Sequence, residues 1–434
     1  MQQIEGSMEA ETVSEPGIVF GLDYPSHDSP LYSNVNVATG WCFHAAEPLQ
    51  AIRLNLNERF QSEGIIGYPR LDIAQRYCHH RDAALSSGFH CYFDAGALVP
   101  GDNRFTFHIQ TAASCRTISN TVTLKGESAY PRVSDVFIDI VGPCNLRCAM
   151  CPHGALEHRS TERGRGFMPV ELFERTMAFL QERGFLGEYV NLYNWGDPLL
   201  HPRLGDILDV CHAMRIKPII STNLSFPLRT VRDVTHHDLE LLLVSISGFS
   251  ESTYSRNHVR GDFPRVRQNL EALADDRGRI RDVLVKYLTF RYNRDELEAA
   301  RAFSVSAGFQ FGAYVGAIPS AESFVRYTDD AKYRAEVTEF IDAAWIQPKP
   351  SRFCPQETSI TINHKAELER CCVSWSDAYR SSLFETDLRQ YLDAKVKNEF
   401  CDRCLATGYS YYKHFGVVIP ELLKISVHRG VDEQ

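Results

Sequence analysis

The sequence predicts an α/β protein in which a core of strand–helix repeats is flanked by two smaller parts, and three observations carry that reading. Between residues 129 and 345 strand-like runs alternate with amphipathic stretches. Between 17 and 128 the runs are short, β-rich and separated by turn formers such as Pro100-Gly101-Asp102. From 346 onward the alternation stops and cysteines crowd together. Strand–helix alternation implies βα units around a parallel sheet, whereas short strands between Gly/Pro turns imply an antiparallel sandwich.

Composition narrows the classes of function. The chain has 434 residues, 44% hydrophobic and 23% charged, which suits a soluble globular protein with two or three domains. No basic start leads into an apolar stretch, and no apolar run reaches the roughly 18 residues of a membrane span, so a cytoplasmic protein with no membrane partner is expected. A formal net charge of −9 disfavours a partner held by phosphate neutralisation, and no nucleic acid is expected. The 13 cysteines come in tight clusters without a secretory signal, a pattern that fits reduced, metal-holding thiolates better than disulfides.

Taken in order, residues 1–16 are polar and acidic without periodicity and read as a disordered tail. Over 17–128 the runs VNVATGWCF, AIRLNLN, FHCYFDA and RFTFHIQTA read as strands. The strings TGWCF, IIGYPRLDIA, SGFHCYF and LVPGDNRFTF are similar to small immunoglobulin-like β-sandwich domains attached to glycan-related enzymes. That resemblance implies substrate or carrier recognition, against the plainer reading of a packing module that binds nothing. The core then supplies VSDVFIDIV, YVNLYNW, KPIISTN, LELLLVSIS, VLVKYLTF and FQFGAYVGA as strands, with PVELFERTMAFLQERG, HPRLGDILDVCHAMR, FPRVRQNLEALADD and RDELEAARAFSVSAG as helices. Six such units suit an incomplete barrel or an open doubly wound sheet, and both folds bind their ligands at the carboxyl ends of the strands.

The first strand runs into DIVGPCNLRCAMCPHG at 139–154, which places Cys144, Cys148 and Cys151 on one loop. A structural zinc ion wants four tetrahedral ligands, and His153 offers itself as the fourth. In a cubane iron–sulfur cluster, three cysteines each hold one iron and leave the fourth open to a small molecule. The CxxxCxxC spacing after the first strand of a βα array resembles the radical S-adenosylmethionine (radical SAM) enzymes. In that family the amino and carboxylate groups of the cofactor chelate the free iron.

The resemblance continues along the chain. NLYNWGDPLLHP at 191–202 is similar to the family's Gly-Gly-Glu-like segment, which implies that Gly196 and Asp197 hold the cofactor's amine. Ser221 and Asn223 stand at STNG-like positions, and Ser245 and Ser247 at SxDG-like positions, facing the methionine and the ribose. Three residues depart from the family pattern: Asp197 replaces the commoner Glu, Ser247 the commoner Asp, and Met150 an aromatic residue that packs the adenine. The family likeness implies a partial (β/α)6 TIM-type barrel over 129–345. It also implies reductive cleavage of S-adenosylmethionine to a 5′-deoxyadenosyl radical, hydrogen abstraction from a polar substrate, and an external electron donor such as flavodoxin or ferredoxin.

The region 346–434 holds Cys354, the adjacent Cys371 and Cys372, and Cys401-Asp-Arg-Cys404. A CxxC with two more distant thiols is also a structural zinc pattern. The set resembles the SPASM/twitch extension of radical SAM enzymes, which implies an auxiliary Fe-S module with one 4Fe-4S cluster on Cys354, Cys371, Cys401 and Cys404. With the loop cluster, that makes two. The extension's usual glycine, five positions before its second cysteine, is Ala366 here, and spacing favours Cys371 over Cys372 as the ligand. Cys42, Cys78, Cys91, Cys115 and Cys211 have no ligand-like spacing and read as core residues.

Three functions compete. One is a radical SAM enzyme of oxidoreductase or epimerase type acting on a polar small molecule, with a sugar or glycan intermediate favoured by the sandwich. Another is a maturase of a ribosomally synthesised peptide. The non-enzyme reading is an Fe-S electron carrier or scaffold, which leaves the polar strand ends near Asp197 and Ser221 without a purpose.

Overall fold

The computed structural model describes residues 13–15, 17–27, 35–68, 70–124, 133, 135–151, 166–316, 318, 320–341, 354–375, 380–395 and 398–409. The chain divides into two compact units, Met1–Arg132 with Val418–Gln434, and Val133–Val417.

The first unit contains nine strands: β1 (Val13–Glu15), β2 (Ile18–Tyr24), β3 (Val35–His44), β4 (Leu49–Leu56), β5 (Arg59–Glu63), β6 (Ile65–Tyr68), β7 (Gly88–Asp94), β8 (Gly101–Thr111) and β9 (Cys115–Leu124). They form antiparallel sheets ordered β1-β2-β3-β7-β6 and β5-β4-β8-β9. Period-2 side chains build the layer between the sheets: Phe105, Phe107 and Ile109 of β8 pack in one cluster with Phe20, Phe89 and Phe93 of the other sheet. This is the expected sandwich. Burial of Cys42 and Cys91 in that cluster agrees with reading them as core thiols, whereas Cys78 and Cys115 are exposed.

One expectation differs here. Val13–Glu15, placed in a tail, pair with β2 in register Val13↔Phe20 to Glu15↔Ile18, because backbone pairing on an open sheet edge needs no side-chain pattern. Residues 1–12 and 16 lie outside the described residues. Between β6 and β7 the chain forms two short helices, α1 (Leu71–Arg76) and α2 (Arg81–Leu85). Ile73, Ala84 and Leu85 from these helices cluster with Trp41 and Phe43 of β3.

The second unit is built on β10 (Asp135–Ile138), β11 (Tyr189–Asn191), β12 (Lys217–Thr222), β13 (Leu239–Ile246), β14 (Ile280–Thr289) and β15 (Gln310–Val315), all paired in parallel with their neighbours. Helices α3 (Val170–Glu182), α4 (Leu204–Ala213), α5 (Leu228–Thr235), α6 (Glu251–Asn257), α7 (Phe263–Asp275) and α8 (Leu297–Ser306) connect them. Helices α9 (Ala321–Asp329) and α10 (Ala331–Thr338) follow β15. The eight-residue α5 escapes a periodicity reading because it spans barely two turns and carries Thr and Val at several positions.

Burial alternates along these strands. On β14, Val283, Val285 and Tyr287 are buried while Leu284, Lys286 and Leu288 are only partly covered, and β13 repeats this with Val244 and Ile246 against Leu243 and Ser245. Alternate residues point to opposite faces, so one face of the sheet is sealed and the other is reachable.

The region after 346 is not a free-standing module in its described part. β16 (Ser359–Ile362) pairs in parallel with β10, Asp135↔Ser359 through Ile138↔Ile362, and β17 (Glu367–Glu369) and β18 (Ser381–Ser382) continue the same sheet. The full order is β15-β14-β13-β12-β11-β10-β16-β17-β18. All four β16 residues are buried, so the segment lacks the alternation that marks a half-exposed strand. Helices α11 (Leu388–Ala394) and α12 (Glu399–Thr407) close the described chain. Among the described residues, no helix is long and apolar enough to cross a membrane.

Candidate functional site

The cysteine loop leaves the carboxyl end of β10 and is fixed from two sides. Asp139, buried just after the strand, accepts the backbone N–H groups of Trp195 and Gly196, each at 3.3 Å. Asp197 N–H donates to the Pro143 carbonyl at 3.1 Å. These bonds press the turn after β11 against the loop so closely that a Cβ on Gly196 would sit 1.8 Å from the Val141 carbonyl oxygen, so only glycine fits. From the other side, Asn257 and Val259 carbonyls accept from Ala149 and Arg147, at 2.8 and 2.9 Å, and Asn257 Oδ1 accepts from Met150 N–H at 3.1 Å.

Cys144, Cys148 and Cys151 are all partly exposed; burial pushes the Cys144 and Cys148 thiols up, and the charge of Cys151 raises both further. Three thiols on one anchored, accessible loop fit a cubane with an open iron. His153 lies outside the described residues.

Asp197 is the hub beneath this loop. Its Oδ2 accepts from Thr222 Oγ1 at 3.0 Å, Asn223 N–H at 2.9 Å and Asn223 Nδ2 at 2.6 Å, and its Oδ1 accepts from Leu199 N–H at 3.1 Å. Asn223 also reaches Asn145 Oδ1 at 2.8 Å and lies 3.9 Å from Cys144 Sγ. Asn145 in turn donates to the Ser225 carbonyl at 3.0 Å. The strand-end residues are therefore one network joined to the first cysteine. Burial pushes the Asp197 carboxyl up to about 6, and its hydrogen bonds only partly oppose that shift.

Ser221 and Ser245 both lie on the reachable face of the sheet. Ser247 does not share that setting. It is fully buried, its Oγ meets His258 Nδ1 at 2.5 Å, and its carbonyl accepts from Asn293 Nδ2 at 2.9 Å. In this structure the Ser247 hydroxyl is engaged inside the fold, where it also donates to the Tyr254 carbonyl at 3.4 Å. His258 stacks on Tyr254 with ring centroids 4.5 Å apart, and burial lowers its pKa to about 3, so it is neutral there.

On the reachable face, Ser245 sits beside Lys286 in register, and Lys286 beside Gly312. The Lys286 ammonium lies over the Tyr314 ring, 4.9 Å from its centroid. Lys286 gives no sequence signal apart from its place in a strand.

Thiols of the second cysteine set lie within reach of one another's charge. Cys354 feels the charges of Cys371 and Cys404, and Cys371 those of Lys395 and Cys401, with burial the largest upward influence on both thiols. Asn398 Nδ2 donates to Cys401 Sγ at 3.2 Å, and Arg370 Nη1 lies 4.0 Å from the same sulfur. Cys372 points elsewhere: its thiol meets Gln356 Oε1 at 3.1 Å. Among the described residues, no three His, Cys, Asp or Glu groups converge as a single metal ion would require.

The two cysteine sets meet through the turn after β11. The Asn194 side-chain amide lies 2.9 Å from the Cys372 carbonyl oxygen, and Trp195 packs edge-on against Trp375 at 5.1 Å between ring centroids.

No sequence match was found among curated proteins. Similar solved structures include SuiB of Streptococcus suis bound to S-adenosylmethionine, with 13% identity, 64% of this chain and 68% of that chain covered, and a TM-score of 0.46. BtrN in complex with AdoMet and 2-DOIA gives 16% identity, 64% and 88% coverage and a TM-score of 0.36. The protein anSMEcpe with bound AdoMet gives 12%, 68% and 100%, and 0.40. The family model described as the Radical SAM superfamily matches residues 139–303. That span opens at the first residue after β10 and takes in the cysteine loop and the ends of β11 to β14, so over these residues the chain matches the radical SAM superfamily.

Proposed function

We propose that this protein is a radical SAM enzyme acting on a polar small molecule. The observation that carries the reading is the joining of Cys144 to Asn145, Asn223 and Asp197 at the carboxyl ends of three neighbouring strands. An electron carrier has no use for such a network beside its cluster, whereas a cofactor chelated at an open iron needs oriented polar groups around it.

In this reading Cys144, Cys148 and Cys151 hold a 4Fe-4S cluster, and Gly196, Asp197, Ser221, Asn223 and Ser245 surround S-adenosylmethionine, with Ser247 supporting from behind. When bound, this pair supplies a 5′-deoxyadenosyl radical on one-electron reduction by a donor such as flavodoxin or ferredoxin. The six parallel strands curl into a partial (β/α)6 barrel, and their reachable face receives the substrate. Ser245, Lys286 and Tyr314 on that face suit a hydroxylated substrate such as a sugar or glycan intermediate, since hydroxyls need both donors and acceptors. Cys354, Cys371, Cys401 and Cys404 hold an auxiliary 4Fe-4S cluster.

Anaerobic reconstitution with iron and sulfide, followed by dithionite and S-adenosylmethionine, tests the reading. Release of 5′-deoxyadenosine, quantified by liquid chromatography, is expected. A protein that takes up iron but leaves the cofactor intact under these conditions is not an enzyme of this kind.

A further inference from the structure

Lys286 puts an ammonium group on the reachable face of the parallel sheet, towards the carboxyl ends of the strands. The register fixes its surroundings. Ser245 stands beside it on β13 and Gly312 on β15. One strand beyond Ser245, Thr222 pairs with Val244, so Asn223, next along the chain, comes level with Ser245. Neighbouring strands are about 4.8 Å apart, which puts the Lys286 backbone about 10 Å from that of Asn223, a residue of the network that reaches Cys144. A small molecule seated between the two touches both.

An aromatic ring holds the lysine in place. A Cβ on Gly312 would sit 2.6 Å from Tyr314 Cε2 and 3.1 Å from its hydroxyl, so Tyr314 folds back over Gly312, and the missing side chain is what lets the ring lie there. The Lys286 ammonium rests over this ring, 4.9 Å from its centroid. Such a contact orients an ammonium and leaves its charge in place. Tyr314 is still 43% exposed, so the pair borders open space rather than the sealed core. Within the six parallel strands, the carboxylates that alternation places on this face, Asp135 and Asp282, stand at the amino ends of β10 and β14, and Asp282 Oδ2 lies 3.9 Å from Arg281 Nε.

We propose that Lys286 binds an anionic group of the substrate, a carboxylate or a phosphate, with Ser245 as a neutral partner at its side. The substrate is then a negatively charged polar molecule, such as a sugar acid or a sugar phosphate. The inference rests on the enzyme reading proposed above and narrows its substrate class. An ammonium is a compact donor of three hydrogen bonds and suits either anion, while a serine hydroxyl serves an oxygen that the ammonium leaves over. A neutral substrate closing over Lys286 does not offset the loss of water around that charge, whereas an anion does.

The experiment uses the full chain, anaerobically reconstituted and saturated with S-adenosylmethionine in the absence of reductant. It is titrated by calorimetry with glucuronate, glucose 6-phosphate and glucose, three probes that share a ring and differ in charge. At least one of the two acids is expected to bind about tenfold or more tightly than glucose, and the tighter one names the anion. Lys286→Met is expected to weaken that acid about tenfold or more and to leave glucose as it was. Lys286→Arg keeps the charge and is expected to retain most of the preference. Urea midpoints check that the variants fold. If Lys286→Met does not, Tyr314→Leu on the edge strand β15 takes its place, with a severalfold loss of acid binding expected once the ring no longer holds the ammonium. No preference for either acid in the parent overturns the inference, as does an unchanged preference in the Met variant, or in Tyr314→Leu where that variant replaces it, or an equal loss in the Met and Arg variants. The enzyme reading fails separately, through absence of 5′-deoxyadenosine on reduction, which none of these titrations measures.

Discussion

Replacing Asp197 with Asn separates what this carboxylate does for folding from what it does for the cofactor. Its pKa stands at about 6 in the folded chain against an ordinary 3.8, a rise of about 2 units, or about 3 kcal/mol at 1.36 kcal/mol per unit. For a carboxyl raised in this way, the folded state binds more protons than the unfolded state between pH 3.8 and 6. Stability therefore falls as pH climbs through that window and is level above it. At neutral pH the ionised group holds the full penalty.

Asn removes that penalty. With its oxygen facing Thr222 and Asn223 it keeps those bonds, but its NH2 then opposes the Leu199 N–H, a loss of about 1–3 kcal/mol. The metal-free variant is expected to match or exceed the parent by about 0–2 kcal/mol at pH 7, and that advantage is expected to shrink by about 1 kcal/mol at pH 5. Urea denaturation at both pH values measures it. Affinity for S-adenosylmethionine, by anaerobic titration calorimetry of the reconstituted protein, is expected to fall about ten- to a hundredfold, because a charge-assisted contact to the cofactor's ammonium is worth about 1.5–3 kcal/mol. A stability difference that does not move with pH refutes the argument from burial. Unaltered affinity means that Gly196 and the backbone do the positioning and that Asp197 serves the fold alone.

Other substitutions probe the remaining parts. Gly196→Ala forces a Cβ to within 1.8 Å of the Val141 carbonyl oxygen and is expected to cost about 2–4 kcal/mol in urea denaturation and to strip iron from the loop site, while an unchanged midpoint means that the turn relaxes freely. Changing Cys144, Cys148 and Cys151 together to Ala is expected to abolish 5′-deoxyadenosine while the absorbance of the C-terminal cluster persists; continued cofactor cleavage removes the loop from the chemistry. Cys371→Ser is expected to lose iron from the C-terminal set, whereas Cys372→Ser keeps it, since the Cys372 thiol is turned to Gln356; the reverse pattern reassigns the ligand.

The parallel core is legible in the sequence because six strand runs and four amphipathic stretches each repeat a periodicity long enough to detect. What escapes detection is short or lacks a pattern. The β16 segment SITI is β-rich but buried on both faces, so its parallel partner β10 cannot be read from alternation, and the C-terminal region reads as separate from a sheet that it extends. Likewise β1 is a three-residue strand that adds backbone bonds to an edge without contributing a recognisable apolar face.

At the site, the difference between legible and hidden residues follows from chemistry and distance along the chain. Cysteines announce a metal centre because few other roles cluster thiols at fixed gaps, and so the loop and the C-terminal set stand out by spacing alone. Their supports are ordinary polar residues far away in sequence: Asn223 meets Asn145 across 78 residues, Asn257 meets Met150 across 107, and Lys395 meets Ser359 across 36. No spacing rule joins such pairs, since the fold alone brings them together. Ser247 shows the converse. A family-like position draws attention to a residue whose hydroxyl is sealed against His258, while its neighbour Ser245, one step of alternation earlier, faces the open side with Lys286. A strand changes face at every residue, and the last residues of a strand also change direction as the chain turns into the next helix. Motif position therefore locates a site to within a strand end, and which of two serines meets a ligand depends on where the pleat stops.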